Sequence, residues 1–469
     1  MATALLRRFY APEYLVKDSM KCGEIPGTKE IYANALHVAG PSVIEFFLIS
    51  LIMMADTVMV SGVGPEAIAA VGITTQPRFI VQSLVLAMNV GVTAVTARRY
   101  GEKDHAGAVY CLKQTMVICA CISVLTSTAA IVYSRGILLF SGAQPDMIDA
   151  AQAYFIVIMA GLPLNSLSLT VSAALRGIGQ TRAPMVINMT ANIVNVCCNY
   201  LLIEGRLGFP RLEVRGAAIA TAIGWGVGLA LCAFALLRRS QYFFVLGKAG
   251  WIPRGHNVRA VYKVASGAFI EQICMRIGFL IYSKMISNLG TLVFATHQIA
   301  INILSLSFSI GEGLSLAAAS LVGQNMGAKR PDLSTIYGKA LQRMSLIYSV
   351  ALMLVFQFFG RGLMMIFSDI PQVLDTGKDL LVIAGILVLF QASQMIFMGA
   401  LRGAGDTMFT AIISMISVTI IRPVVALILI YPLGLGVVGA WLAFLMDQLI
   451  RLSATYVRFS SGKWVNIRL

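Results

Sequence analysis

One phrase occurs twice in this chain: ALRGIGQT at 174–181 and ALRGAGDT at 400–407, six of eight residues identical and 226 positions apart. The same offset carries Ile44–Glu45 onto Ile270–Glu271, Met59 and Ser61 onto Met285 and Ser287, and Gly64 onto Gly290. It also carries Gly101 and Lys103 onto Gly327 and Lys329. A single offset running without gaps from position 44 to 181 makes the chain two homologous halves. Whatever one half folds into, the other must fold into as well.

Each half reads as six apolar runs. They lie at roughly 34–62, 68–96, 109–134, 147–174, 181–203 and 215–237, and again at about 265–288, 294–322, 340–367, 378–400, 407–431 and 436–457. Each is long enough for a bilayer-crossing helix, which takes about 20 residues. The chain is 58% hydrophobic and only 12% charged, against a typical charged share of about 25%. The expected fold is therefore an all-α integral membrane protein, with twelve transmembrane helices in two pseudo-symmetric six-helix lobes. The alternating ten-residue segments of an outer-membrane barrel are absent from the sequence. An even number of spans per half makes the halves parallel repeats about an axis along the membrane normal. Transporters built this way place substrate between the halves and expose it to each side in turn. The reading divides the chain into a lead-in (1–33), an N-lobe (34–237), a basic linker (238–263, with Gly247, Gly250, Pro253 and Gly255), a C-lobe (264–457) and a tail (458–469).

The net charge of +15 suggests nucleic acid until its placement is considered. External segments hold Arg135, Arg206, Arg211, Arg215, Arg361 and Lys378, and the spans hold Arg78, Arg276, Lys284 and Arg422. The remaining Lys and Arg, Arg98, Arg99, Arg238, Arg239, Lys329 and Arg330 among them, are assigned to the side of the N-terminus. This positive-inside bias puts both termini in the cytoplasm and predicts attraction to anionic lipid headgroups. Residues 1–33 carry Arg7, Arg8, Lys17, Lys21 and Lys29 without an apolar core, so no cleavable signal peptide is expected. The eight cysteines form no C-x-x-C pair, which argues against zinc and disulfides, and adjacent Cys197 and Cys198 read as packing residues.

Several polar residues lie inside the apolar runs. Glu45 and Asp56 sit within Gly40–Gly64, eleven residues apart. On a helix that separation returns to within roughly 20° of the starting direction, so both acids share a face. Acids at membrane depth are costly unless they meet protein, water or a partner. The pair marks a wet cavity for cations or protons, or structural acids holding other helices. Asp56 has no acidic twin, because its equivalent is Tyr282. Asn188, Asn192, Asn195 and Asn199 fall on one helical face, turned inward for interhelical hydrogen bonds or, as carbonyl donors, for a cation. The eighth span opens with His297 and Gln298 and continues to Glu312. Arg276 and Lys284 are candidate counter-charges for Glu271, and Asp447 with Arg422 reads as a structural pair. The 23 methionines and 23 phenylalanines can line an adaptable apolar pocket as well as face lipid.

Four stretches together resemble the multidrug and toxic compound extrusion (MATE) transporters. They are ADTVMVSGVGPEAIAAVGI at 55–73, the two ALRGxGxT loops, ATHQIAIN at 295–302 and VGQNMGAKR at 322–330. The resemblance covers nearly the whole chain. It implies a V-shaped antiporter that expels cationic amphipathic molecules in exchange for sodium ions or protons, with one chain as the working unit and no cofactor beyond the coupling ion. By motif, Asp56 resembles the acid of the family's N-lobe cation site. Asn195 and Asn199 match its fifth-helix N-x-x-x-(D/N) pattern, and Thr221 comes from GAAIAT. Carboxylate, two amides and a hydroxyl form an oxygen-rich set suited to a hard cation such as sodium, with Asp56, Asn195 and Asn199 as the implied metal ligands. Glu271, in FIEQ, resembles a C-lobe glutamate of some bacterial members, with Glu45 as its pseudo-symmetric mate. Two departures are visible. Gln391 and Gln394 stand where some members have a tenth-helix aspartate, and Asn199 replaces an aspartate of others. With one carboxylate in the N-lobe set, proton coupling gains ground on sodium.

Rival functions fare less well. A flippase for a lipid-linked precursor calls for a cavity with several arginines, and the spans as read contain Arg78, Arg276 and Arg422. A membrane enzyme calls for Asp-rich metal motifs or a nucleophile and base. An ATP-driven pump calls for G-x-x-x-x-G-K-[ST], which the sequence lacks.

Overall fold

The computed structural model describes residues 9–16, 18, 21–61, 65–144, 147–203, 205–238, 242–245, 250–252 and 255–467. Of the residues named above, Arg7, Arg8, Lys17, Gly64, Arg239, Gly247 and Pro253 lie outside those described, as does the side chain of Ser61. Twelve described helices are long and apolar enough to cross a membrane. We label them α1 (Thr28–Ser61), α2 (Pro65–Gly101), α3 (His105–Val132), α4 (Ile148–Gly177), α5 (Arg182–Leu202) and α6 (Glu213–Leu237) in the first half. The second half has α7 (Gly255–Ser287), α8 (Thr291–Gly327), α9 (Pro331–Met365), α10 (Pro371–Ala404), α11 (Thr407–Ile430) and α12 (Gly436–Ser460). The described residues form no strand.

Several helices outrun the apolar segments that announce them: α2 reaches Gly101, α8 reaches Gly327 and α10 reaches Ala404. An apolar run ends where the hydrocarbon ends, whereas the hydrogen-bonded ladder continues until a residue caps it. The longer ladder of α10 places Arg402 on a helix rather than in a loop.

The described chain divides into two compact units. One comprises residues 47–265, the other residues 1–46 with 266–469. Both use the same packing plan. In the first, α4 packs on α2, α3 and α6, with α5 on α6 and α2 on α3. In the second, α10 packs on α8, α9 and α12, with α11 on α12 and α8 on α9. The fourth helix of each half is thus the hub.

The repeated ALRGxGxT phrase makes that hub possible. Its first glycine is a close-approach residue. A Cβ at Gly177 would meet the Thr93 carbonyl oxygen at 2.8 Å, and one at Gly403 would strike the Ala319 carbonyl. Thr93 and Ala319 are themselves 226 positions apart, so this is one contact made twice. The second glycine ends the helix. Gly179 and Gly405 adopt φ of +81° and +91°, a left-handed conformation that costs glycine little. Their N–H groups donate to the carbonyls of Arg176 and Arg402, while Gln180 and Asp406 donate to Leu175 and Leu401, satisfying the orphan carbonyls of each helix end.

A candidate cation site and a second polar cavity

In the unit formed by residues 47–265, three helices bring four polar side chains together. Asp56 lies half-buried near the end of α1. The Asn199 Nδ2 of α5 donates to its Oδ1 at 2.9 Å. Asn195 stands one turn earlier, with its amide oriented by the surrounding network. Its Nδ2 donates to Asp56 Oδ2 at 3.2 Å, and its Oδ1 accepts from the Thr221 backbone N–H at 3.1 Å. The Thr221 hydroxyl of α6 lies 3.2 Å from the same amide and donates to the Ala217 carbonyl at 2.9 Å. The Oδ1 of Asn199 is buried and has no hydrogen-bond partner among the described residues.

Small residues set this geometry. A Cβ at Gly216 would come 2.5 Å from the Leu202 carbonyl oxygen, and one at Gly224 would come 2.8 Å from that of Ala191 and 3.1 Å from Asn195 Cβ. These glycines let the α6 backbone lie directly on α5, the close approach that small residues permit between membrane helices. Thr221 is carried on the strip between them. Asp56 forms no ion pair with a described Lys or Arg. It is a carboxylate held by two amides, beside a buried carbonyl oxygen that lacks a donor. That donor set fits a monovalent cation or a proton: neutralising the carboxylate frees each amide to turn its oxygen inward.

The other unit contains a different chemistry. A cavity of about 130 Å³ is lined by Glu271, Glu312, Gln394, Arg402, Arg422, Gln448 and Arg451, with Met275, Met395, Met398 and aromatic rings between them. Glu271 is engaged on both oxygens: Arg402 donates to Oε1 at 2.7 Å, Ser414 to Oε1 at 3.0 Å and Thr410 to Oε2 at 3.4 Å. Asp447 is engaged likewise. Arg422 and Arg451 both donate to its Oδ2, the latter at 2.8 Å, and Ser417 donates to its Oδ1 at 2.5 Å. A π-helical segment in α11, Met415–Ile421, lies between Ser414 and Arg422 and carries Ser417. Such one-residue bulges re-aim side chains on an otherwise regular helix.

The MatE family model matches residues 41–201 and matches again at 268–428, covering most of the chain in two copies. The probable multidrug resistance protein NorM of Thermotoga maritima is 31% identical over 96% of both chains. A FAD transporter of Shewanella oneidensis is 26% identical over 72% of this chain and 75% of its own. The chain is a MatE transporter. The outward-facing conformation of a multidrug resistance MATE transporter of the MOP superfamily has the same fold, with a TM-score of 0.86 at 20% identity, covering 92% of this chain and 97% of that one. Twelve membrane-capable helices and family membership make this a multi-pass membrane protein and a transporter, not an enzyme.

Within this MatE transporter the two polar clusters are counterparts. A Cβ at Gly439 would meet Leu429 at 2.9 Å, as one at Gly216 meets Leu202. Residues 202 and 429 are 227 apart. The offset thus grows by one across α11, and the π-helical segment there accommodates the extra residue. Past it, Asn195 corresponds to Arg422. Aligning LEVRGAAIAT at 212–221 with LGVVGAWLAF at 435–444 pairs Thr221 with Phe444, and Asp56 already pairs with Tyr282. Those counterparts also meet: the Arg422 guanidinium lies 4.2 Å over the Phe444 ring and 5.6 Å over that of Tyr282. Where one unit of the MatE protein has an acid, amides and a hydroxyl, the other has a resident guanidinium among aromatic rings.

Several sequence expectations need correction. The counter-charge of Glu271 is Arg402, from the second ALRG phrase, rather than Arg276 or Lys284. Arg422 and Arg451 are buried among the helices and the half-buried Arg402 lines the same cavity, so an arginine-lined cavity is present after all. Arg402 was assigned to a loop because the apolar run ends at 400, yet α10 continues to Ala404. An i,i+4 pairing of Asp447 with Arg451 was the available signal. Asp447 and Arg422 are paired, as read, but with Arg451 as a third member. Asn192 donates to the carbonyl of Asn188 one turn back on its own helix, at 2.8 Å, rather than across helices.

Of the remaining candidates, Gln394 and Glu312 line the cavity, Glu312 from an exposed position. Gln391 is buried, its Nε2 donating to Met395 Sδ at 3.7 Å. Gln298 is exposed. His297 accepts on Nδ1 from Trp441 Nε1 at 3.1 Å and packs against the rings of Tyr282, Phe294 and Trp441. Glu45 is fully buried and falls in the unit with residues 266–469, whereas Asp56 falls in the other.

Proposed function

We propose that this MatE transporter is a secondary active antiporter of the bacterial inner membrane, with both termini cytoplasmic. It exports cationic amphipathic drugs in exchange for an ion that neutralises Asp56. One observation carries the reading: Asp56 is a half-buried carboxylate at membrane depth whose described partners are amides, with no ion-pairing cation. The corresponding cluster of the other unit has its positive charge built in as Arg422. A lone acid of this kind favours whatever conformation lets a cation or proton reach it. Neutralisation releases the Asn199 and Asn195 amides, and the bonds that tie α1 to α5 change hands. Ion and drug drive exchange by favouring different conformations, about 1.4 kcal/mol of difference for each tenfold shift in population.

The amide orientation bears on the choice of ion. Both side chains present N–H groups to the carboxylate. A proton on Asp56 needs one amide to turn over, so that the new O–H can donate to its oxygen. A sodium ion needs both to turn. We read the smaller rearrangement as the proton's, and the separately imposed gradients decide between the two ions.

The test is efflux of a fluorescent organic cation from proteoliposomes, with proton and sodium gradients imposed separately and FAD assayed alongside because a relative transports it. Wild type should respond to the proton gradient, and Asp56→Asn should lose at least tenfold of the driven rate while still binding the dye. Normal driven efflux by Asp56→Asn, together with loss in Glu271→Gln, would move coupling to the other unit.

A further inference from the structure

We infer that the cavity of the unit containing residues 266–469 is an oxyanion site, taking a carboxylate or phosphate group. The argument is a donor and acceptor inventory. Of the acids beside these arginines, Glu271 in the wall and Asp447 behind it each accept from arginine on one oxygen and from a hydroxyl on the other, and Glu312 stands in the lining at its exposed side. The guanidiniums are not correspondingly spent. Arg422 keeps Nε and Nη1 without an acceptor, and Arg402 and Arg451 each keep Nε. Gln448, 1% exposed, lines the same space with neither its amide nitrogen nor its oxygen bonded.

Buried donors without acceptors are costly, and guanidinium groups at membrane depth more so. The guanidinium N–H groups named above lack an acceptor, and planar guanidinium groups match carboxylate and phosphate geometry best. The volume agrees. About 130 Å³ holds roughly four waters at ~30 Å³ each, or one such group with the few atoms that carry it. The rest of a ligand would extend past the methionines toward Glu312, the exposed acid of the lining, which suits a positive charge at the far end. The site thus reads the anionic end of a zwitterionic molecule, or the phosphate of a lipid headgroup. As a substrate site it rests on the transporter reading above; as a binding site it does not.

Thermal unfolding of the full-length protein in uncharged detergent tests it. Benzoate and inorganic phosphate are compared with benzamide, the neutral isostere, and with sodium chloride at equal ionic strength. The expected result is saturable stabilisation by at least one oxyanion and none by benzamide. Gln448→Leu, which leaves both ion pairs intact, should raise the half-saturating concentration about tenfold, and Gln448→Glu should abolish the effect. Each variant must keep the wild-type melting temperature without ligand to within a few degrees; if both fail that check, Gln394→Leu serves as the same test from the opposite wall. Stabilisation by mixed micelles of phosphatidylglycerol but not phosphatidylcholine, blocked by Gln448→Glu, identifies a lipid source. Benzoate and phosphate acting no differently from benzamide and chloride, or acting equally on the variants, overturns the proposal. Efflux of a simple cation can fail while oxyanion binding persists, so the two readings fall separately.

Discussion

Glu271, buried, and Arg402, half-buried, form a pair in which each holds the other's charge, at 2.7 Å. Removing one member leaves an uncompensated charge. Arg402→Gln should lower stability by about 3–5 kcal/mol, and Arg402→Gln with Glu271→Gln should recover most of it. Thermal unfolding of the two single variants and the double, run as a cycle, measures the coupling. If Glu271 instead took a transported cation, Glu271→Gln alone would abolish driven efflux and leave stability nearly unchanged. Residue by residue, the first unit was the more legible. An acid in an apolar run and amides at spacings of four are visible without coordinates, and the structure does bring Asp56, Asn195, Asn199 and Thr221 together. The second unit was not, for a physical reason: hydropathy reads charged residues as exits from the membrane. Arg402 remains inside because a carboxylate on another helix neutralises it, and a partner 131 residues away has no local signature, whereas Arg451 carries one in Asp447 four residues earlier.

At the scale of helices, the duplicated ALRGxGxT phrase is a piece of architecture. Its two glycines do different jobs, and substitution should separate them. Gly403→Ala puts a methyl group onto the Ala319 carbonyl and should cost about 1–3 kcal/mol through overpacking of α10 on α8. Gly405→Ala forces an alanine into the left-handed region and should cost about 1 kcal/mol for that strain. Gly177→Ala and Gly179→Ala should repeat the order in the other unit, because the contact and the cap are repeated there. Melting temperatures of the four variants decide it; equal losses within each pair would mean that the close approach relaxes freely. The repeat itself was plain in the sequence. The one-residue growth of the offset was not, because a π-helical insertion leaves the apolar pattern intact while rotating everything after it.

The molecule as a whole should be oriented by its charge. The basic segments predict a cytoplasmic N-terminus, and Cys22 is an exposed cysteine outside any disulfide in that lead-in. A membrane-impermeant maleimide should label Cys22 in inverted vesicles and not in intact cells, against a variant with the other seven cysteines replaced by serine. The division into compact units has a different reach. Residues 1–46 belong with 266–469, while α1 continues into the unit of 47–265, and α7 starts in that unit and ends in the other. Cutting the chain in the segment after α6 therefore leaves each fragment with part of the other's unit. Fragments 1–245 and 246–469 should be degraded when made alone and should accumulate together when co-expressed, by immunoblot of membranes.

The same exchange of ends constrains ancestry. A protein one half as long, carrying a single copy of the repeat, would have lent the start of its first helix to a neighbour and borrowed the neighbour's in return. Such a precursor had no self-sufficient monomer. Joining two genes end to end would convert a partnership between separate molecules into a loop, and once tethered the copies would be free to diverge, as Asp56 among its amides and Arg422 among its rings have.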